Sequence, residues 1–432
     1  MGEYVRGESA MSLNDHPLRR WAVDEMHIRR FPSIPARCEI VQTVRLVSHD
    51  MRSEEDRYLI TDRPRFDEWQ LATRHGLGRD KSGVSFVWER HTEASTITFV
   101  MPDAMPQGLR APILSWMEAW PGDVVRATRI FVEPDRASAE ERLAKMAMSV
   151  EDMVCCDVNC EVRLWSDFVI HGDGYGRLLL SAGNCGAGER GRIVQRIQEL
   201  GNYRNLALLG FPLVQKLGPQ VDAVEQSLAH QARMVAEQEQ DDEVMIQHLA
   251  EISSELELVR SESSFRLSAT KAYSDVAMDR MRSLEIKPVV NYQSLTEFTE
   301  RRLVPASRTC ATFDRRLDRI AERTAGIMHT LNTRVDTRIK AQNLKLTESM
   351  ERSTHLQFRL QTLVEGLSVI AAAYYAVGLI GFLAKGIDGY DHGKFPEMVT
   401  GLVTLPVILG IYLLVRHLRH KVVNDDGATK PE

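Results

Sequence analysis

Apolar and polar residues alternate at every second position along several short stretches of the first half of the chain, and recur at four-three spacing along much of the second half. The first pattern predicts half-buried strands and the second predicts helices with one apolar face. The β-branched run CEIVQTVRLV (38–47) reads as a strand. GVSFVWERHTEASTITFVMP (83–102) reads as a hairpin, two β-rich runs separated by a polar turn at 92–95. DVVRATRIFVE, CEVRLWSDFVI and GRLLLS add further strands. A mixed sheet of about six or seven strands, partly covered by helices, is therefore expected over residues 1–185, an α+β domain. NDHPLRRWAVDEMH predicts a short helix, with Asp15 as cap, Pro17 in the first turn, and Leu18, Trp21, Ala22 and Met26 on one face.

From about Gly188 glycine and proline become rare and helical periodicity takes over. Met245, Leu249, Ile252, Leu256 and Val259 follow the four-three seam of a coiled-coil pair. The pattern restarts near Leu295 with Phe313, Leu317, Ile320, Thr324, Ile327 and Leu331, then drifts at Val335 and Ile339, as at a stutter. Residues 186–362 are thus expected to form a stalk of long antiparallel helices. Such helices are marginal alone and bury their stripes against copies of themselves, which predicts a homo-oligomer.

Two apolar runs then follow closely. Residues 366–383 are uncharged and mostly apolar, and 398–415 (MVTGLVTLPVILGIYLLV) form a second run with Pro406 inside it. At 1.5 Å per residue each is close to the hydrocarbon thickness of about 30 Å, and neighbouring groups can satisfy the carbonyl that Pro406 frees. The expected layout is a membrane hairpin: a first span at 363–383, a short outer loop at 384–397, a second span at 398–415 and a tail at 416–432. Arg352 and Arg359 before the first span, with Arg416, Arg419 and Lys421 after the second, outweigh Lys385 and Lys394 between them. The opening residues lack the apolar run of an export signal. Both observations predict cytoplasmic termini on an inner-membrane protein.

A formal charge of −6 gives no support for nucleic-acid binding. The six cysteines, Cys38, Cys155, Cys156, Cys160, Cys185 and Cys310, follow no disulfide framework and read as reduced thiols.

DEMHIRRFPSIPA, WERHTEAS, LVQKLGP after NYRNLALLGFP, ERRLVPASRTCATFDRRL and above all LQTLVEGLSVIAAAYYAVGLIGFLAKG resemble signature stretches of a bacterial family of membrane-anchored proteins, the domain of unknown function 3422. The resemblance covers nearly the whole chain and implies membrane anchoring, but no activity and no catalytic residues. HIRRFP departs from the family's more usual run at that turn. The architecture is also similar to that of CorA-type magnesium channels, which would make a divalent cation a partner. GFLAKGIDGY stands where those channels carry Gly-Met-Asn, so the selecting motif is missing.

Candidate chemistry is sparse. SAGNCGAGERGRIVQRI is a glycine-rich loop entering a helix, where backbone N–H groups could cradle phosphate, but it lacks the Lys-Ser/Thr ending of a P-loop. It reads as a strand-to-helix connection. CCDVNC places adjacent cysteines on opposite faces of a strand and lacks the partners of a tetrahedral metal site. Glu89, His91 and Glu93 sit at alternate positions by the hairpin turn, where a shared face could serve acid/base chemistry; a structural hydrogen-bond network is the blander expectation. Glu365 lies just inside the first span and Asp388, Asp391 and Glu397 in the loop, as boundary or pore-mouth carboxylates. No cofactor is expected. Three functions follow: a non-catalytic sensor, tether or scaffold anchored in the bilayer, a CorA-like cation channel with a divergent pore, or a membrane-bound hydrolase using the Glu89 cluster.

Overall fold

The computed structural model describes residues 16–20, 22–23, 31–61, 63–146, 148–149, 151–237, 241–387 and 395–425. The chain divides into two compact units, Met1–Met328 and His329–Glu432.

The first unit is built on one mixed sheet. Its strands are β1 (Cys38–Leu46), β2 (Glu68–Leu71), β3 (His75–Arg79), β4 (Ser85–Arg90), β5 (Ala94–Pro102), β6 (Asp123–Glu133), β7 (Val154–Val158), β8 (Val162–Ile170), β9 (Gly176–Ser181) and the two-residue β10 (Lys287–Pro288). They lie in the order β10-β7-β8-β9-β6-β1-β5-β4-β3-β2. The β6–β9 pair is parallel, whereas β1 pairs antiparallel with both β5 and β6. Ten strands replace the six or seven expected. The additions are of low β propensity: β2 and β3 (EWQL and HGLGR) carry little β-branched residue, and β10 is a Lys-Pro bridge held by its neighbour β7. These strands form because the sheet offers them partners.

Helices cover both faces. On one, α1 (Arg52–Thr61), α2 (Gln107–Glu118) and α3 (Arg136–Lys145) pack on Val41, Phe86, Trp88, Phe99 and Phe131. On the other, α4 (Ala187–Leu208), α6 (Asp242–Ser283) and the start of α7 (Leu295–Ile387) pack on Ile40, Val100, Ile130, Val132, Leu164 and Leu180. Successive strand residues enter opposite cores, as the period of two requires. Cys155 and Cys156 obey the same rule, each buried in a different core. Inward-facing β6 turns from Ile130 and Val132 to Thr128 and Arg126, so one face of the sheet passes from apolar to polar along its length.

The predicted seam residues Met245, Leu249, Ile252, Leu256 and Val259 are all buried on α6. Helix α5 (Gly210–Glu237) and α7 share that bundle, joined by the ion pairs Arg316 to Asp222 and Glu225 and Arg260 to Asp318. Phe313, Leu317, Ile320 and Thr324 are buried where the seam predicts.

In the second unit, α7 continues unbroken to Ile387, and α8 (Phe395–Asp425) follows. Ile339, where the seam drifts, is exposed. Of the helix expected around Trp21, residues 19–20 and 22–23 are helical, while 16–18 are coil and turn and Leu18, expected on its apolar face, is exposed; residues 14–15, 21 and 24–27 lie outside the described residues.

Candidate functional site

Of the cluster at the hairpin turn, two members line one small space and the third is drawn elsewhere. Glu89 is next to last in β4, and one of its carboxylate oxygens lies 3.9 Å from Nδ1 of the buried His75 on the neighbouring β3. His91 sits edge-on to the Tyr203 ring of α4, centroids 6.1 Å apart. Both line a small polar space with Gln42, Thr98, Gln198 and Asn202. Its volume is about 20 Å³, room for one ordered water rather than a substrate. Glu93 turns out of this space to α6, where Arg266 donates to both its oxygens at 2.9 and 2.6 Å. A contact spanning 173 residues of sequence therefore ties the hairpin to the helical bundle. Burial pushes the Tyr273 phenol up, and the neighbouring Glu93 carboxylate adds to the shift.

The glycine-rich connection is closed by a side chain. Arg190, buried on the first turn of α4, donates to the carbonyls of Ile34 at 2.7 Å, Cys185 at 2.8 Å and Ala182 at 3.3 Å. These bonds lock the loop against the segment before β1. Gly183, at φ +64°, approaches the Cys160 carbonyl so closely that a Cβ would stand 2.4 Å from its oxygen, which accounts for a glycine here.

All six cysteines are free thiols. Burial pushes Cys38 and Cys155 up to about 12 and Cys156 to about 11, whereas Cys160 is exposed. Since the thiolate is the reactive form, alkylation of the native full chain near neutral pH is expected to modify Cys160 and to leave Cys38, Cys155 and Cys156 untouched until denaturant is added. Mass mapping of alkylated peptides checks this; early labelling at Cys156 would contradict the buried β7 strand. Among the described residues, no group of three or more His, Cys, Asp or Glu is placed to hold a metal ion.

The C-terminal helices expose what soluble helices bury. One helix, through Leu383, is long and apolar enough to cross a membrane: an 18-residue window has mean hydropathy 1.9, and 6 % of it is buried. Tyr374, Tyr375, Leu379 and Phe382 are among its exposed residues. The apolar stretch of α8, Gly401–His417, is shorter, so the second expected span does not reach the same length. An open groove of about 770 Å³ runs between the two helices, with Ala373, Gly378, Gly381 and Gly401 among the small residues along it. Glu365 is half-buried at the start of the apolar stretch. Asp388 and Asp391 lie outside the described residues, as does the side chain of Glu397.

Residues 14–422 match the family described as Protein of unknown function (DUF3422), and the chain belongs to that family. No curated protein and no solved structure matches the chain, so the likeness to CorA-type channels finds no support.

Proposed function

We propose that this chain is a membrane-anchored protein whose sheet domain works on the cytoplasmic side as a sensor, tether or scaffold, without turnover. The exposure of the apolar stretch of α7 carries this reading. A core helix of that hydropathy would be mostly buried, but 6 % of this window is; left in water it would be an apolar patch far larger than a soluble monomer tolerates. In this reading α8 crosses as well, giving a hairpin in the inner membrane with both termini inside. Glu365 then marks the cytoplasmic boundary, where a carboxylate reaches interfacial water at little cost.

Assembly of copies fits the same features. Ala373, Gly378 and Gly401 give low surfaces that let membrane helices approach, and the groove beside them would be filled by a neighbouring copy or by lipid. Chemical crosslinking in native membranes is expected to give one discrete homo-oligomer; a strictly monomeric species there would remove this part of the proposal.

Topology is tested with single cysteines in a background lacking the native six. One placed at Gly389 is expected to react with an impermeant thiol reagent applied to intact cells, and one at Gly427 to stay protected until the membrane is opened. The reverse pattern would place the sheet domain outside and overturn the reading.

A further inference from the structure

The polar end of the sheet holds two buried arginines that no carboxylate among the described residues neutralises. Pairing of β6 with β9 begins at Thr128↔Gly176, so among the described residues the start of β6 has no strand on that side. β8 breaks register between Ser166 and Ile170 and carries Phe168 at φ +53°, a left-handed conformation that a bulky residue rarely adopts. The result is a gap in the sheet of about 290 Å³, floored by α4 and lined by Arg126, Thr128, Phe168, Ile170, Arg204 and Asn205 among others.

Arg126 is 7 % exposed and donates through Nη1 to two neutral acceptors, Gln42 Oε1 at 3.1 Å and Asn202 Oδ1 at 2.7 Å. Gly201 of α4 lies against it so closely that a Cβ would stand 2.7 Å from the guanidinium. Arg204 is 8 % exposed, with its guanidinium over the rings of Phe168 at 4.7 Å and Phe298 at 5.4 Å. Among the described residues no carboxylate pairs with either. Burial, with repulsion from Arg204, pulls Arg126 down to about 9; burial, with repulsion from Arg302, pulls Arg204 down to about 10. Thr128 Oγ1, also buried at the gap, has no hydrogen-bond partner. The mouth is apolar: Val124, Val169 and Ile170 are 51, 44 and 78 % exposed.

A buried charge without a counter-charge is destabilising, and two side by side more so, unless an anion completes the site. We infer that this gap is a binding site for a small organic oxyanion, its phosphate or carboxylate head held by Arg126, Arg204 and Thr128 and its compact apolar body resting on Phe168, Val169 and Ile170. The volume is at the low end of small-molecule sites, roughly 300–1,000 Å³, which suits a head group with one ring and leaves no room for a polymer. Planar guanidinium forks match both head groups. The strained turn at Phe168 is the device that holds the ring over Arg204 and keeps the sheet open.

The test uses the full chain in non-ionic detergent, titrated calorimetrically and by thermal unfolding with phenyl phosphate, benzoate, inorganic phosphate and, as the neutral control, benzyl alcohol. At least one of the two aromatic anions is expected to bind saturably and raise the midpoint, inorganic phosphate more weakly, and benzyl alcohol not at all. Arg204→Gln is expected to weaken that binding at least tenfold while unfolding, without ligand, at the same or a higher temperature, because it removes an uncompensated charge. Thr128→Val, of similar shape, is expected to weaken it several-fold and guards against misfolding of the first variant. Failure of both aromatic anions to bind, equal binding of benzyl alcohol, or unchanged binding in both variants would overturn the inference. A lower unfolding midpoint of Arg204→Gln with affinity intact would mark Arg204 as structural and overturn it as well.

Discussion

Replacing Glu55 with alanine is expected to destabilise the sheet domain by about 3–5 kcal/mol. Glu55 is fully buried on α1 beneath the aromatic core of Trp88, Trp116 and Trp120. One carboxylate oxygen accepts from the indole N–H groups of Trp88 and Trp120, each at 3.2 Å, and the other from Arg90 Nε at 3.0 Å and Nη2 at 2.7 Å. Alanine leaves two buried indole donors without their acceptor and strips Arg90 of its buried carboxylate partner, leaving it the exposed Asp56 carboxylate and the Trp88 ring. Each orphaned donor costs about 1–3 kcal/mol, and the half-broken ion pair adds to that. Chemical unfolding of the full chain, followed by tryptophan fluorescence, measures the loss directly. A change below about 1 kcal/mol would show that the network contributes little and that Glu55 is tolerated there rather than required.

Placing arginine at both Tyr375 and Leu379 is expected to abolish stable membrane insertion. Both side chains are exposed on α7 inside the apolar stretch. Each arginine near the middle of a spanning helix costs about 2.5–3.5 kcal/mol on insertion scales, so the pair opposes insertion by roughly 5–7 kcal/mol. Glu365→Gln, at the edge, is expected to change insertion little. Cell fractionation of the three forms separates the cases. Normal insertion of the double-arginine variant would mean that the stretch packs against protein rather than lipid.

Strands rich in β-branched and aromatic residues, β1, β4, β5, β6 and β8, were legible because their side chains alone specify a pleated surface with two faces, and β9 (GRLLLS) was legible as a short apolar run. The edge strand β2 and its neighbour β3 were not, since their pairing is dictated by β4 and by rings such as Phe66 stacked with Phe86. The seam from Met245 to Val259 was legible because helical period and burial coincide there. Glu55 was hidden: in RSEEDRYLIT it reads as one more charge on a solvated helix, and only the distant Trp88, Arg90 and Trp120 make it a buried acceptor. Spacing placed Glu89, His91 and Glu93 on a common face, but Arg266, from α6, takes the last of them. The arginine pair left a faint trace, the change from Ile130 and Val132 to Thr128 and Arg126 at alternate positions of β6. That pattern acquires meaning only once β8 breaks register and opens the sheet beside it.

Membrane anchoring is the claim on which the proposed role rests, and alkaline carbonate extraction of membranes from cells making the unaltered full chain tests it most directly. The protein is expected to stay in the pellet with integral membrane proteins and to leave it only on addition of detergent. Release of the intact chain into the carbonate supernatant would contradict membrane anchoring.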